Sequence, residues 1–536
     1  MTETKPPEAD YVVVGAGSAG CIVARRLAES GARVVLLEAG PPDTSRMVRV
    51  PGMITVMHSV PQLKKRFDWG YCTVPQEHAA GRRVPVTRGK VVGGSSSVNG
   101  MLFVRGHRSN YDDWAADGCA GWSYDEVLPS FRRLEDWEGG ASEVRGAGGP
   151  IKVSRQRDLT PASAALVEAI GETLKTPAND DYNGATQEGV GVVQMSSDKG
   201  VRYSASKGYL GKGAGVRLIT GATAARVVVE GGRAVGVELL DGRVVRAARE
   251  VVLSAGVVGS PQLLMLSGVG PADHLREHGI DVRSDLPVGD NLHDHLFVPM
   301  TFLAPGAVHR GTGTHFLAGL LTEAVRGGTW FGRTVFDAMA FVRTDAASGG
   351  GPARSDRPDL QIHALPWSYP SPNQDAPVRH AVDRRPALTV MPTLIYPRSR
   401  GTVRLASADP SAAPLIDPAY LADPGDAAFL VAGMKLIREV MAHQRLAEVV
   451  TGELHPGPSV ATDADILREL PQRVHSVYHP VGTCRMGTVV DPQLRVLGVE
   501  GLRVADASVM PSITGGNTNA PAMMIGERCA ELMTAG

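Results

Sequence analysis

Apolar residues fall along this chain in two rhythms. Short, unbroken, β-branched runs recur at Tyr11–Val14, Val34–Leu37, Glu250–Ala255 and Leu502–Ala505, and runs of this length bounded by turn residues predict strands buried on both faces. Between the first two, Ile22, Val23, Leu27 and Ala28 keep apolar side chains on one face of a helix. Residues Tyr111–Trp137 read as helical, with Trp114, Leu128, Phe131 and Leu134 as core candidates, and Gly139–Gly149 as a loop. Gly189–Met195 and Val216–Leu240 read as strands, the second a hairpin turning at Glu230-Gly231-Gly232. Pro261 is placed in the first turn of a helix carrying Leu263, Leu264 and Leu266. Between about Phe297 and Arg473, strand-like pieces such as Asp359–Ala364 and Ala387–Ile395 alternate with Pro-rich turns. The pattern predicts an α/β chain of two units: a Rossmann-like dinucleotide-binding domain (residues 1–160, 198–296 and 474–536) and an α+β substrate domain on an antiparallel sheet (161–197 and 297–473).

The turn after the first strand sharpens this. Gly15, Gly17 and Gly20 give G-x-G-x-x-G, with Ser18 and Ala19 between the last two. The first glycine permits a tight turn, the second lets backbone approach a pyrophosphate, and the third lets the helix pack close to the sheet. The second strand ends on Glu38, followed by Ala39, where a carboxylate would hold a ribose hydroxyl. Downstream, Arg88–Gly106 holds Gly93-Gly94 and three serines, closely flanked by Val91, Val92, Val98, Met101 and Leu102. A flexible linker would not carry such apolar flanks, whereas a segment packed on a phosphate or flavin would.

Composition excludes several functions. With 536 residues, 43% hydrophobic and 21% charged, the chain suits a globular protein, and a net charge of -1 argues against a nucleic-acid partner. Its 63 glycines and 37 prolines indicate many turns and close-packed loops. The five cysteines, Cys21, Cys72, Cys119, Cys484 and Cys529, form no C-x-x-C pair, which fits a cytoplasmic location better than a disulfide framework. The polar first ten residues lack the apolar core of a signal peptide, and no run of about 18 apolar residues predicts a membrane span. Peripheral membrane contact stays open; Lys64-Lys65-Arg66, the densest basic run, reads as a solvated loop.

The candidate chemistry lies at the C-terminal end. His479 sits in H-S-V-Y-H-P-V-G, and Leu502–Ala505 would deliver Asp506 and Ala507. Asn517 and Asn519 precede Pro521 and an apolar helix, Ala522–Met533, whose N-terminus would favour a developing anion. His293, Asp294 and His295 invite a metal reading, but no third and fourth ligand cluster with them, so no metal is expected.

With these residues the chain resembles the glucose-methanol-choline (GMC) family of FAD-dependent alcohol oxidoreductases nearly end to end. Gly89–Asn99 resembles the family's first signature and Ser260–Gly270 the second; Val288–His295 resembles a further recurrent stretch, and Val257 stands where a smaller residue is usual. The resemblance implies that Gly15, Gly17, Gly20 and Glu38, with Ser18, Ala19 and Ala39, hold the ADP half of FAD. Ser95 and Asn99, with Val92, would meet the pyrophosphate, Leu102 would lie near the flavin, and Ala224 near the adenine. Asp506, Ala507 and Asn519 would hold the ribityl chain and flavin edge, and His479 and Asn517 match the catalytic pair. Val98 occupies the place of the histidine that some members bond to FAD, which implies non-covalent FAD.

The expected reaction is oxidation of a small-molecule alcohol to an aldehyde or ketone, with His479 as base and Asn517 orienting the hydroxyl. An unperturbed histidine titrates near 6.5, so the reaction is expected to speed up with pH through one ionisation. Oxygen or a quinone would reoxidise the cofactor. The alternative is a lyase of the same fold with non-redox FAD. Asp337 reads as an exposed surface residue in preference to a carboxylate for an ammonium substrate, and Phe297, Trp330, Phe331, Phe336, Trp367 and Tyr369 as core in preference to pocket.

Overall fold

The computed structural model describes residues 9–211, 213–308, 313–326, 329–344, 357–369 and 385–534. Its first sheet grows from the N-terminal unit. Strand β1 (Ala9–Val14), helix α1 (Gly20–Glu29) and strand β2 (Val34–Glu38) follow the expected order. β3 (Val216–Thr220) pairs parallel with β2, and a hairpin of β4 (Ala224–Glu230) and β5 (Arg233–Leu239) joins β6 (Val244–Leu253). The order is β3-β2-β1-β6-β5-β4, with β7 (Leu502–Val504) parallel to β6. The expected hairpin thus covers only β4 and β5. β3, cut off at Gly221, serves a different edge.

β6 runs longer than its apolar stretch because its two halves have different neighbours. Val244–Arg246 pairs antiparallel with β5, and Glu250–Leu253 pairs parallel with β1. Only the second half is apolar on both sides, and only it shows a buried-strand pattern.

Helix α2 (Gly256–Leu266) begins directly after β6, so Pro261 lies inside it and not in its first turn. Proline has no N–H to give the carbonyl four residues back. That carbonyl, on Val257, instead accepts a hydrogen bond from the Thr483 hydroxyl at 2.7 Å, so the helix continues with its acceptor satisfied. Helix α3 (Asn519–Thr534) also starts earlier than its apolar run, with Pro521 inside its first turn. The stretch read as one helix over 111–137 is two helices, Arg108–Ala116 and Tyr124–Leu134, separated at Gly118 and Gly121, both in the left-handed region, and Glu135–Trp137 is a short strand paired with Ile151–Arg155. Lys64-Lys65-Arg66 lies in the helix Pro61–Phe67, not a loop.

The second sheet is antiparallel in the order Gly452–His455, Met300–Leu303, Ala387–Leu394, Leu360–Leu365, Ala338–Val342, Gly189–Val192. Leu296–Phe297 pairs with both Ala387–Leu394 and His475–Ser476. Leu296–Phe297 straddles the boundary expected at 296/297 and His475–Ser476 lies just past the one expected at 473/474, and together they tie the second sheet to the chain returning toward β7. No helix among the described residues is long and apolar enough to cross a membrane.

Removing the support for Pro261 tests the helix account. Thr483→Val should lower unfolding free energy by about 1–3 kcal/mol, the cost of a buried unpaired carbonyl, and Thr483→Ser should restore most of it. Urea denaturation of the three proteins measures this; equal stability of the valine variant contradicts it.

Candidate active site

The three glycines differ in what they do. Gly15 has φ 98°, and a Cβ there would come within 2.4 Å of the Ser254 carbonyl. A Cβ on Gly20 would sit 1.9 Å from the Gly15 carbonyl oxygen, so only glycine lets α1 start this close to the turn. The Gly/Ser segment packs onto this turn: Gly93 donates to the Ala16 carbonyl at 2.7 Å, and a Cβ on Gly94 would strike Gly17 Cα at 2.7 Å. Glu38 closes the cradle, its carboxylate accepting from Ala16 N at 3.0 Å and Gly40 N at 2.8 Å. Burial raises its pKa to about 7 despite those bonds.

A cavity of about 680 Å³ runs from this cradle to the second sheet. Gly15, Gly17, Ser18, Ala19, Glu38, Ala39, Ser95, Asn99, Leu102, Ala224, Asp506, Ala507, Asn519, His479 and Asn517 all line it. Gly20 and Val92 do not; they lie behind its wall, Gly20 in helix packing and Val92 accepting from the Ser97 hydroxyl at 2.8 Å. Asp506 is buried, takes Ser260 Oγ at 2.6 Å and Gly256 N at 2.9 Å, and so locks β7 to the start of α2. The Ser18 hydroxyl donates to Asn519 Oδ1 at 2.7 Å, joining the N-terminal turn to the start of α3.

His479 is positioned by the short strand pair. Ser476 pairs with Leu296, and Val477 N donates to the His295 carbonyl at 3.0 Å, which brings the two rings together. Asp294 accepts from His479 N at 2.8 Å, from Tyr420 OH at 2.9 Å and from Ser476 Oγ. His293 Nδ1 meets the Asn291 carbonyl at 2.6 Å, and its Nε2 accepts from Ile513 N at 3.0 Å. The His-Asp-His run is therefore structural scaffolding. Tyr478 is held at φ 65°, with Arg88 donating to its carbonyl.

Hydrogen-bond bookkeeping assigns the tautomer of His479. Asn517 Oδ1 accepts from Gln361 Nε2 at 3.1 Å, so its Nδ2 is the group facing His479 Nε2 at 3.1 Å. An amide nitrogen only donates, so Nε2 carries the lone pair. The His479 proton then sits on Nδ1 and is donated to His295 Nδ1, 3.1 Å away. A neutral His295 that accepts at Nδ1 carries its own proton on Nε2. Burial, then His295, His363 and Arg88, hold the His479 pKa well below 6.5, and burial drives His295 to about 3 and His363 to about 4.

Other placements correct the sequence reading. Asp337 is fully buried and does not line the cavity; its carboxylate accepts from Thr160 N at 3.1 Å and Gln156 Nε2 at 3.2 Å. Phe297, Phe336, Trp367 and Tyr369 line the cavity, whereas Trp330 and Phe331 do not. Sequence reasoning missed His295 as a partner of His479, and it missed Arg88, Gln361 and His363. Gln361 and His363 are two apart in a fully buried strand, so they share a face, and polar residues at that spacing were the available signal.

The cavity thus has a glycine-rich turn at one end and a buried, neutral imidazole facing it from the other wall. Comparisons identify the family. The GMC oxidoreductase family matches residues 9–297 with its N-terminal part and 397–526 with its C-terminal part. The chain is 40% identical to the oxygen-dependent choline dehydrogenase of Brucella suis biovar 1 (strain 1330), over 98% of this chain and 95% of that one. It is 39% identical to an alcohol dehydrogenase (acceptor) of Pseudomonas putida, with the same coverage. Among solved structures, pyridoxine 4-oxidase from Mesorbium loti matches with TM-score 0.85 and 30% identity over 98% of this chain and 99% of that one. A formate oxidase variant from Aspergillus oryzae matches with TM-score 0.89 and 27% identity over 99% of each. The chain belongs to the GMC oxidoreductase family and is an FAD-dependent alcohol oxidoreductase.

The depressed pKa changes the expected pH dependence. A lowered histidine pKa keeps the basic form populated further into acid, so flavin reduction by substrate should be flat between about pH 6.5 and 8 and fall only below. Stopped-flow reduction across pH measures this. A rise through an ionisation near 6.5 would show that the ring is not desolvated.

Proposed function

We propose that His479 Nε2 is the base that accepts the hydroxyl proton of an uncharged primary alcohol and that Asn517 orients that hydroxyl. The observation that carries the reading is the lone pair of a desolvated imidazole facing the cavity beside an amide donor. A hydroxyl entering between them would donate to Nε2 and accept from Asn517 Nδ2. FAD, when bound, supplies the two-electron acceptor for the hydride leaving the carbinol carbon. Gly15, Gly17, Ser18, Ala19, Glu38 and Ala39 would hold its ADP half, with Ser95 and Asn99 at the pyrophosphate, Ala224 at the adenine, and Leu102, Asp506, Ala507 and Asn519 toward the flavin. The contact between the two glycine segments supports this assignment, since a Cβ on Gly94 would strike Gly17 Cα at 2.7 Å and glycine there lets the two turns lie together at the cavity wall. Residues 1–160, 198–296 and 474–536 would form the FAD unit, and 161–197 with 297–473 the substrate unit.

Val98, buried in the cavity wall, offers no nucleophile, which supports non-covalent FAD. For the substrate, the end of the cavity away from the glycines is lined by Phe297, Phe336, Leu365, Trp367 and Met391. The only carboxylates among the described lining residues, Glu38 and Asp506, belong to the cradle and to α2. That supports a neutral, apolar alcohol over the choline named for the relatives. Oxygen or a quinone would serve as acceptor.

His479→Ala should slow flavin reduction by about 10²- to 10⁴-fold while retaining FAD; near-normal reduction removes it from the mechanism. Acid precipitation should leave the flavin in the supernatant, and flavin trapped in the pellet contradicts non-covalent binding. In anaerobic bleaching, a medium-chain or aryl alcohol should outperform choline in kcat/KM by at least about tenfold. A preference for choline would refute the uncharged-substrate reading.

A further inference from the structure

Among the described residues, the helix Gly313–Val325 carries the most exposed large aliphatic side chains. Its residues Leu317, Leu321 and Val325, spaced four apart, form a stripe that is 57%, 60% and 82% exposed. The opposite face is committed to the protein. The Phe316 ring lies edge-on to Phe331 at 5.2 Å, and a Cβ on Gly319 would reach 2.8 Å from Trp330 Nε1. Glu323, the only acid of the helix, is buried and accepts from Thr329 N at 3.0 Å and its hydroxyl at 2.7 Å. The exposed side chains of the helix are Leu317, Ala318, Leu321, Ala324 and Val325 with Thr314, His315 and Thr322, and none of them is a carboxylate.

Its surroundings are cationic. Arg46, at the start of the helix Arg46–Arg49, donates to the Glu323 carbonyl at 3.3 Å, and Gly52 N donates to the Phe331 carbonyl at 2.6 Å. These bonds fix residues 46–52 against the Gly313–Val325 helix and the Trp330–Gly332 turn that follows it. Residues 46–66 carry Arg46, Arg49, Lys64, Lys65 and Arg66 and no acid, in a chain whose net charge is -1. Arg46, Arg49, Lys65 and Arg66 are exposed, and Arg326 lies just past the apolar stripe. The same elements form part of the cavity wall through Phe316, Ile54, Val56, Val60 and Lys64.

We infer that the Gly313–Val325 helix and the adjoining basic helices dock this enzyme on an anionic lipid bilayer at the mouth of its cavity. Three exposed aliphatic side chains enter the acyl boundary, and the exposed cations meet the headgroups. A single apolar face is a weak anchor, and a polybasic neighbour supplies the second signal. A second copy of the chain is the less fitting occupant, because two such faces brought together would juxtapose like charges. The docking goes beyond the catalytic reading and does not rest on it.

The test uses the FAD-loaded enzyme and two vesicle types, phosphatidylcholine alone and phosphatidylcholine mixed with phosphatidylglycerol. The enzyme should co-sediment with the mixed vesicles and be released as salt rises. The variant Leu317→Ser/Leu321→Ser/Val325→Ser should lose binding by about tenfold or more. Arg46→Gln/Arg49→Gln/Lys65→Gln/Arg66→Gln should abolish the preference for anionic vesicles. Flavin content and turnover of a water-soluble alcohol should be unchanged in the serine variant, which separates docking from catalysis. No vesicle binding, equal binding by the serine variant, or self-association in sedimentation velocity that the serine variant abolishes would each overturn the proposal.

Discussion

Two neutral imidazoles can share a hydrogen bond only when one of them carries the proton at the shared edge. The contact between His479 Nδ1 and His295 Nδ1, in a site dry enough to keep both rings uncharged, is the constraint on which the proposed chemistry depends. It puts the proton of His479 away from the cavity and its lone pair toward it. Fixing the ring this way needs no carboxylate partner; the nearby Asp294 is spent on the backbone N–H of His479 instead. In the proposed mechanism that arrangement supplies an uncharged base in a site where a buried ion pair would cost much in desolvation.

The remaining architecture brings this pair to the cofactor cradle. The cradle is built at the start of the chain and His479 stands near its end, and two kinds of connection close the distance. Parallel pairing of β7 with β6 returns the chain one strand away from β1, and the Ser18–Asn519 bond ties the glycine turn to the last helix. The strand pair at Leu296 and Ser476 then hangs the base from the second sheet. Gln361, on that same sheet, orients Asn517 from behind. The cavity thus has one wall from each sheet.

The parts of this legible in sequence were those with a local signature. The glycine spacing and terminal acid announced the cradle, and apolar runs marked the strands buried on both sides. What failed locally failed for tertiary reasons. Pro261 looks like a helix start because nothing nearby shows that Thr483, more than 200 residues on, satisfies the carbonyl it leaves free. The charged half of β6 resembles a loop until β5 pairs with it. Asp337 resembles a surface acid because its partners, Gln156 and Thr160, are distant in sequence. At the site, His479 and Asn517 were named through family resemblance, whereas the partnership of His295 with His479 depends on strand register that no local pattern encodes.

The most direct test of the account is the protonation state of His479 itself. Nitrogen-15 NMR of histidine-labelled, FAD-loaded enzyme, with the His479 signals assigned by their loss in His479→Gln, reads each ring nitrogen separately. The account predicts, at neutral pH, a protonated Nδ1 and an unprotonated Nε2. A protonated Nε2 with a bare Nδ1, or an imidazolium with both nitrogens protonated, would contradict it.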